Sequence, residues 1–291
     1  MKKSLFLVFW VCLGLTAMAQ ITLKFNPDKG SKYEYQMEMI QKINQTIMGQ
    51  KMDVNQTMIL SYNMDVVEKT ATETRLEMMY KDVSYNLVSA MMNMTYDSKS
   101  NATPANTIDE MMAKIFGSLL NKKFTVTLLP DGSVKSVAGM KEIINDMAKA
   151  VGNDMVSQQV TQQLSQQFSD DAMKSTFEQS FKIYPTKAIK PGDSWNVVQK
   201  TGAGGMNMDL NTTYNLKSAD AGTAIADVTS TINGMGGQIT GTQSGTIEFD
   251  VKTGLPMVSK MNQKASGKVS ANGMEIPMDI DSQVNVTVKK L

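Results

Sequence analysis

The feature that most constrains this chain is a long alternation of apolar and polar residues. Apolar positions recur at every second residue over most of residues 33–47, and after a turn near Gly49 the pattern resumes over residues 52–66. A period of two is typical of a half-buried β-strand, and two such runs joined by a short turn form a hairpin. At about 3.3 Å per residue, each run extends roughly 50 Å, and strands of that length must coil. We therefore predict a long, strongly curved antiparallel sheet, similar to half of a barrel, with one apolar concave face.

Two local features refine this prediction. A third run, residues 73–80, switches its apolar parity near Asp82, which predicts a β-bulge, and residues 83–96 are expected to continue as strand. Pro277 lies within the last alternating run, where it has no N–H to donate to a neighbouring strand. It therefore predicts an edge position or a bulge at that point.

A different periodicity occupies the middle of the chain. Residues 107–110 match a helix capping box, and the apolar residues that follow recur every three or four positions. After a small hairpin around residues 124–137, helical spacing returns from Met140 and persists in segments as far as Phe181. Because strands and helices occupy separate blocks, the sequence predicts an α+β fold with the helical middle segment packed on the concave face of the sheet.

Residues 1–19 have the parts of a secretory signal peptide. Lys2 and Lys3 form a positive start, an apolar stretch follows, and Ala17 and Ala19 are small residues at the expected cleavage site. The apolar stretch is shorter than the roughly 20 residues that a spanning helix needs. We expect cleavage after Ala19, export to the periplasm or the extracellular space, and a mature chain that does not span the membrane. The expected organisation is a signal peptide at 1–19 and one α+β domain at 20–291, with strands at 20–98, a mainly helical segment with a small hairpin at 104–184, and strands at 190–291.

The side chains that the sequence lacks exclude much familiar enzyme chemistry. The chain has no histidine, its only cysteine is Cys12 within the expected signal peptide, and its only arginine is Arg75. Without histidine it lacks the commonest general base, and after cleavage it also lacks a cysteine thiolate that could act as a nucleophile. Histidine and cysteine are also the ordinary zinc ligands. A formal net charge of +1 offers no broad attraction to nucleic acid. We expect a non-enzymatic protein with no cofactor and no nucleic-acid partner.

Methionine is the compositional outlier, with 26 residues in the chain. Thioether side chains are flexible and repack around different shapes, so a methionine-rich face either fills a core or lines a cavity for a lipid, an acyl chain or another apolar ligand. The residues expected to line such a cavity lie on predicted strands and on the first helix: Met37, Met39, Met58, Met64, Met78, Met111, Met112, Ile115 and Phe116. Two interpretations stay open, an apolar-ligand binder and a structural or interaction module of the cell envelope with a filled core.

Thioether sulfur is also a ligand for copper(I). Two methionine pairs are spaced so that both members share one face of a strand, Met92 with Met94 and Met206 with Met208. No histidine or cysteine reinforces either pair, so copper(I) binding is the minor alternative.

Two turn motifs carry a resemblance to a known family. Residues 191–195 read Pro-Gly-Asp-Ser-Trp, and residues 250–256 read Asp-Val-Lys-Thr-Gly-Leu-Pro. On these motifs, and over most of residues 20–291, the chain resembles a family of uncharacterised exported bacterial envelope proteins of unknown function. The resemblance implies export and brings no catalytic residues. In architecture alone, the expected fold is loosely similar to periplasmic lipoprotein carriers, in which a curved sheet half-encloses helices around an acyl-binding cavity.

Overall fold

The computed structural model describes residues 20–47, 49–150, 152, 161–162, 164–165, 168–201, 208–271 and 274–291. Within this part, twelve strands join one antiparallel sheet. The strands are β1 (Lys32–Ile47), β2 (Gln50–Lys69), β3 (Thr74–Ser89), β4 (Asn93–Asp97), β5 (Lys123–Leu128), β6 (Val134–Ala138), β7 (Ser194–Thr201), β8 (Met208–Ala219), β9 (Thr223–Gly234), β10 (Ile239–Asp250), β11 (Pro256–Ala271) and β12 (Met274–Lys290). The expected signal peptide, residues 1–19, lies outside the described residues.

The strand order is β6-β5-β3-β2-β1-β12-β11-β10-β9-β8-β7, and β4 pairs with β3. The predicted antiparallel sheet of long strands is confirmed, since β2 has 20 residues and β12 has 17. The pairing of β1 with β12 joins the N-terminal strands to the C-terminal strands in the centre of the sheet. Residues 20–31 precede the first strand and contribute one isolated bridge, between Ile21 and Ile189.

Three helices of the middle segment are described in full: α1 (Thr107–Leu119), α2 (Met140–Ala150) and α3 (Asp170–Phe181). The N-cap of α1 is Asn106, one residue before the predicted capping box, because its side chain accepts hydrogen bonds from the N–H groups of Ile108 and Asp109. Its amide also donates to the Asp109 carboxylate at 2.9 Å, so Asn106 and Asp109 are the pair that fixes this helix start. None of the helices in the described part is long and apolar enough to cross a membrane.

The chain around β3 confirms one prediction and corrects another. The register between β2 and β3 shifts where Ser61 pairs with Asp82 and Tyr62 pairs with Tyr80, which places Lys81 in the predicted bulge. The expectation of one continuous strand over residues 83–96 is wrong, because β3 ends at Ser89 and the chain reverses into β4. The turn is held by the Ser89 side chain, which accepts hydrogen bonds from the N–H groups of residues 91 and 92.

The sheet is open and curved. Its end strands, β6 and β7, are ten strand-to-strand steps apart, and at about 4.8 Å per step a flat sheet separates them by roughly 48 Å. Yet α3 contacts both of them, although a helix of 12 residues is only about 18 Å long. The two ends of the sheet therefore approach each other, with α3 between them.

Candidate functional site

The register of the strands arranges the inner face of the sheet, the face that carries Tyr35 and Met37, into rows that cross many strands. We name three of these rows by their residues. The Met39 row is Met58, Met39, Val284, Met261, Gly245, Val228, Tyr214 and Trp195. The polar row is Gln56, Gln41, Ser282, Gln263, Gln243, Ser230 and Thr212. The Ile43 row is Val54, Ile43, Ile280, Ala265, Gly241, Ile232 and Leu210.

A cavity of about 310 Å³ lies against this inner face, between α3 and the strands β1, β2 and β7 to β12. Most of its lining is aliphatic or aromatic, with Val286, Val228 and Ile247 on the sheet side and Phe181 on the helix side. Its volume is at the lower end of the range of about 300–1,000 Å³ that is usual for small-molecule sites. The volume of the cavity therefore suits one small apolar group.

Helix α3 closes one side of the cavity and is fixed to the sheet by hydrogen bonds at its C-terminal end. The amide of Gln199 on β7 donates to the carbonyl oxygens of Glu178 at 2.8 Å and Lys182 at 3.2 Å. The Trp195 indole donates to the carbonyl oxygen of Ile183 at 2.9 Å. On the other edge, the Glu178 carboxylate accepts from the N–H of Val134 on β6. These bonds satisfy backbone groups at the helix end and hold the helix over the cavity.

Aromatic rings fill the neighbouring part of the inner face. Tyr35 and Tyr62 are stacked with ring centroids 4.4 Å apart, and contacts continue through Tyr80 and Phe124 to Phe177 of α3. Burial raises the pKa of Tyr35 to about 12 and raises the pKa values of Tyr62 and Tyr80 above their usual value. These phenols are therefore protonated at neutral pH, and none of them supplies a base.

The structure separates the residues that the sequence proposed as a cavity lining. Met37 and Met64 line the cavity, whereas Met39 and Met58 lie beside them in the Met39 row. Met78 is completely buried. The four proposed residues of α1 belong to a different region, where Phe116 contacts the rings of Tyr85 and Tyr96, Ile115 is buried, and Met111 and Met112 pack against the core.

The sequence reasoning missed most of the cavity, because the lining comes mainly from the C-terminal strands. Tyr214, Val228, Ile247 and Val286 all line it, together with Met261. Their alternation with polar residues was visible in the sequence and indicated strands. The alternation did not indicate which strands share a wall, since that depends on pairings between distant segments.

The copper(I) pairs occupy two separate places. Met92 lies in the turn before β4 with 39% of its surface exposed, and Met94 follows on β4, where it is half-buried and pairs with Leu87. Met208 lines the cavity, whereas Met206 lies outside the described residues. Copper(I) binding stays a prediction.

A second hollow, of about 630 Å³, lies on the opposite face of the sheet. Polar and charged residues form most of its lining, among them Lys264, Asp279 and Asp281. Lys264 and Asp281 are 3.9 Å apart, and their side chains are largely exposed. A solvated hollow with paired charges does not favour an apolar ligand, so the inner-face cavity is the stronger candidate site.

The chain is similar to a protein family and, in fold, to a solved structure. The sequence model of the family of unknown function DUF6263 matches residues 71–256. No curated protein matches the sequence.

A structure of lipovitellin, from a study of lipid–protein interactions in that protein, is similar in fold, with a TM-score of 0.51 at 7% sequence identity. The match covers 90% of this chain and 25% of the lipovitellin chain. The chain thus spans a quarter of that relative's length, and the likeness is one of fold. An outer membrane channel from Pseudomonas putida F1 aligns with a TM-score of only 0.24 at 8% identity, over 91% of this chain and 98% of the channel.

Proposed function

The chain belongs to DUF6263, a family of unknown function, and we propose that it is an exported, non-enzymatic envelope protein that binds an apolar ligand, such as a lipid or an acyl chain. The observation that carries this proposal is the 310 Å³ cavity between α3 and the inner face of the sheet. Lipovitellin, which is similar in fold, is described in a study of its lipid–protein interactions, and we extend that ligand class to this chain.

The volume of the cavity, about 310 Å³, favours a single acyl chain over a lipid with two chains. Burying hydrocarbon stabilises a complex by about 0.8 kcal/mol per methylene. Eight buried methylenes therefore contribute roughly 6 kcal/mol, before the loss of translational and rotational freedom is subtracted. The thioethers of Met37, Met64 and Met261 line the cavity and adjust to ligands of different shape.

We further propose that the whole helical segment packs on the concave face and forms the second wall of the ligand compartment. Phe177 of α3 lies 5.8 Å from Phe124 of β5, measured between ring centroids, and Phe181 lies 5.3 Å from Phe25. Met140 and Ile143 on α2 are buried, and α2 contacts α1. These contacts support a helical layer that covers the first half of the sheet and leaves the cavity over the second half.

Export and the lack of catalysis are parts of the same proposal, and the sequence supports them. The signal-like residues 1–19 favour export, and cleavage after Ala19 leaves a mature chain without cysteine. The chain has no histidine, and burial raises the pKa of Tyr214 in the cavity wall above its usual value. A cavity with these side chains offers binding surface without a general base.

The proposal is tested with protein purified from its own envelope and with recombinant protein stripped of lipid. We expect native mass spectrometry of the first sample to show a bound apolar molecule. The stripped protein is expected to bind a neutral fluorescent probe, N-phenylnaphthylamine, in the cavity.

Val286→Phe, which fills the cavity from β12, is expected to weaken probe binding by roughly tenfold or more. The matched control is Val198→Phe on β7, at a position that is 62% exposed, and it is expected to bind as the parent does. Absence of both bound lipid and probe binding contradicts the proposal.

A second candidate function is the structural or interaction module with a filled core. The continuous aromatic contacts from Tyr35 to Phe177 favour it, because that part of the inner face is tightly packed. The same experiment distinguishes the two functions. A filled core predicts that the probe does not bind the parent protein and that Val286→Phe lowers stability by overpacking. A ligand compartment predicts that the parent binds the probe and that the variant loses it.

A further inference from the structure

The inner-face cavity has an unusual electrostatic property, since none of the described residues that line it is Asp, Glu, Lys or Arg. An ionised carboxylate or phosphate placed there would lose its hydration and meet no opposite charge. The free energy of such a transfer is strongly unfavourable unless a counter-charge compensates it. The lining therefore selects against charged ligand groups.

The same lining nevertheless carries hydrogen-bonding groups in a defined place. Four members of the polar row, Thr212, Ser230, Gln243 and Gln263, line the cavity side by side. The apolar Met39 row lies on one side of them and the Ile43 row on the other. A ligand that follows the strands across this wall therefore meets apolar, then polar, then apolar surface.

The members of the polar row differ in whether their side-chain hydrogen-bonding groups have partners within the protein. The hydroxyls of Thr212 and Ser230 are buried and 2.9 Å apart, so they bond each other. Gln41 and Ser282, further along the row, are joined by a bond of 3.0 Å. In contrast, no hydrogen bond links the side-chain amide of Gln243 or Gln263 to any other residue of the described part of the chain. Each amide offers two N–H donors and one carbonyl acceptor.

We infer that the ligand is an uncharged amphiphile: a single acyl chain whose ester, amide or hydroxyl group bonds the amides of Gln243 and Gln263. This inference rests on the proposed function and specifies its ligand class. Ester and amide carbonyls accept from the glutamine N–H groups, and a ligand hydroxyl also donates to a glutamine carbonyl. The acyl chain lies on the apolar rows, and no charge enters the cavity.

The test compares ligands of one chain length that differ only in the polar group. Displacement of N-phenylnaphthylamine from the stripped protein is measured with a monoacylglycerol, with the primary alcohol and with the free fatty acid. The pH is chosen so that the acid is ionised. We expect the monoacylglycerol and the alcohol to displace the probe at concentrations at least about tenfold lower than the fatty acid, because only the acid carries a charge. A fatty acid that binds as tightly as the monoacylglycerol overturns the inference while leaving the proposed function intact. Failure of the probe itself to bind contradicts the proposed function.

Variants of the two glutamines assign the polar group to its partners. The double variant Gln243→Leu with Gln263→Leu is expected to weaken monoacylglycerol binding by roughly tenfold, since it removes the hydrogen bonds but keeps side-chain volume. Leucine keeps this wall apolar, so the neutral probe is expected to bind the double variant at least as tightly as the parent, and this serves as the check that the fold and cavity persist. The matched control is Gln56→Leu, in the same polar row but outside the cavity lining. If the double variant binds monoacylglycerol as the parent does while binding the probe normally, the assignment is wrong.

Discussion

At the scale of single residues, glycines on the inner face permit a very close approach of neighbouring backbones. A Cβ atom at Gly245 of β10 would lie 2.0 Å from the Lys260 carbonyl oxygen and 2.7 Å from the Met261 sulfur. At Gly241 the nearest contact would be 2.4 Å, and at Gly267 of β11 it would be 2.0 Å. Glycines at such positions allow a sheet to bend sharply. They therefore contribute to the curvature that brings the ends of the sheet together.

Gly245→Ala is expected to destabilise the protein by about 1–3 kcal/mol, because the added methyl group collides with backbone of the adjacent strand. The free energy of unfolding, measured with urea, checks this value. The control is Gly117→Ala on the exposed face of α1, where the nearest atom would be 3.8 Å away. That substitution is expected to stabilise the protein by about 0.5–1 kcal/mol, as alanine is the better helix former. Equal effects of the two substitutions would show that the close approach at Gly245 is unimportant.

At the scale of elements, α3 is the helix that contacts both end strands of the sheet, β6 and β7. Its start is capped by Ser169, whose hydroxyl accepts from the N–H of Ala172, and Asp170 accepts from the N–H of Met140 at the start of α2. Acidic residues in the first turn also favour the positive end of the helix dipole. Because α3 contacts both β6 and β7, it lies against the two end strands of the sheet, each of which has a neighbouring strand on one side only in the described part of the chain.

Gln199→Leu is expected to loosen α3, since it removes the amide that donates to the carbonyl oxygens of Glu178 and Lys182. Gln199 is only 7% exposed. The Glu178 oxygen keeps its bond from the N–H of Lys182, so the expected cost is that of the lost amide bonds, about 0.5–1.5 kcal/mol for each. Hydrogen exchange is expected to rise in α3 and in β7, with a lower free energy of unfolding. Val198→Thr, at the exposed neighbouring position, is the control and is expected to change stability by less than about 0.5 kcal/mol. Unchanged exchange in α3 after Gln199→Leu would contradict this role.

At the scale of the whole molecule, the sheet makes the two ends of the chain depend on each other. β1 pairs with β12 from Tyr33 opposite Lys290 to Gln45 opposite Met278. The N-terminal strands β1, β2 and β3 each contribute one tyrosine to a buried cluster, Tyr35, Tyr62 and Tyr80. The protonation state of that cluster is therefore coupled to the stability of the fold.

The protein is expected to lose stability as the pH rises above about 10. Burial raises the pKa of each of the three phenols in the folded state, to about 12 for Tyr35. Above pH 10 the unfolded chain releases these protons while the folded chain keeps them, so stability is complete below the unfolded pKa and falls above it. Each tyrosine contributes a loss of about 1.4 kcal/mol per pH unit. Urea unfolding at a series of alkaline pH values measures this slope.

Tyr80→Phe supplies the comparison, because desolvation by burial is the cause of the raised Tyr80 pKa. The variant removes one titrating phenol and keeps the ring contacts. The alkaline slope is expected to become shallower by about 1.4 kcal/mol per pH unit. A slope identical to that of the parent would mean that Tyr80 ionises in the folded protein as it does in the unfolded chain.

Local patterns allowed a good part of the fold to be predicted. The bulge near Asp82 followed from a switch of apolar parity, and Pro277 indicated an edge position or a bulge. The structure shows why a proline is accepted there although β12 lies in the centre of the sheet: pairing with β1 stops at Met278, so Pro277 has a paired neighbour only on the β11 side. The start of α1 was shifted by one residue, because two adjacent polar residues competed for the cap and geometry favoured Asn106.

Alternation and helical spacing were enough to predict most strands, their two faces and the helical middle, because both are properties of neighbouring residues. The strand order, the pairing of β1 with β12 and the row that sets Gln243 beside Gln263 and Ser230 became known only from the folded chain. Each of those depends on register between segments far apart in the chain, and a shift by one residue would turn every side chain of a strand to the opposite face. For this reason the sequence predicted an apolar face, whereas the position of the cavity and its uncharged polar row emerged only from the paired strands.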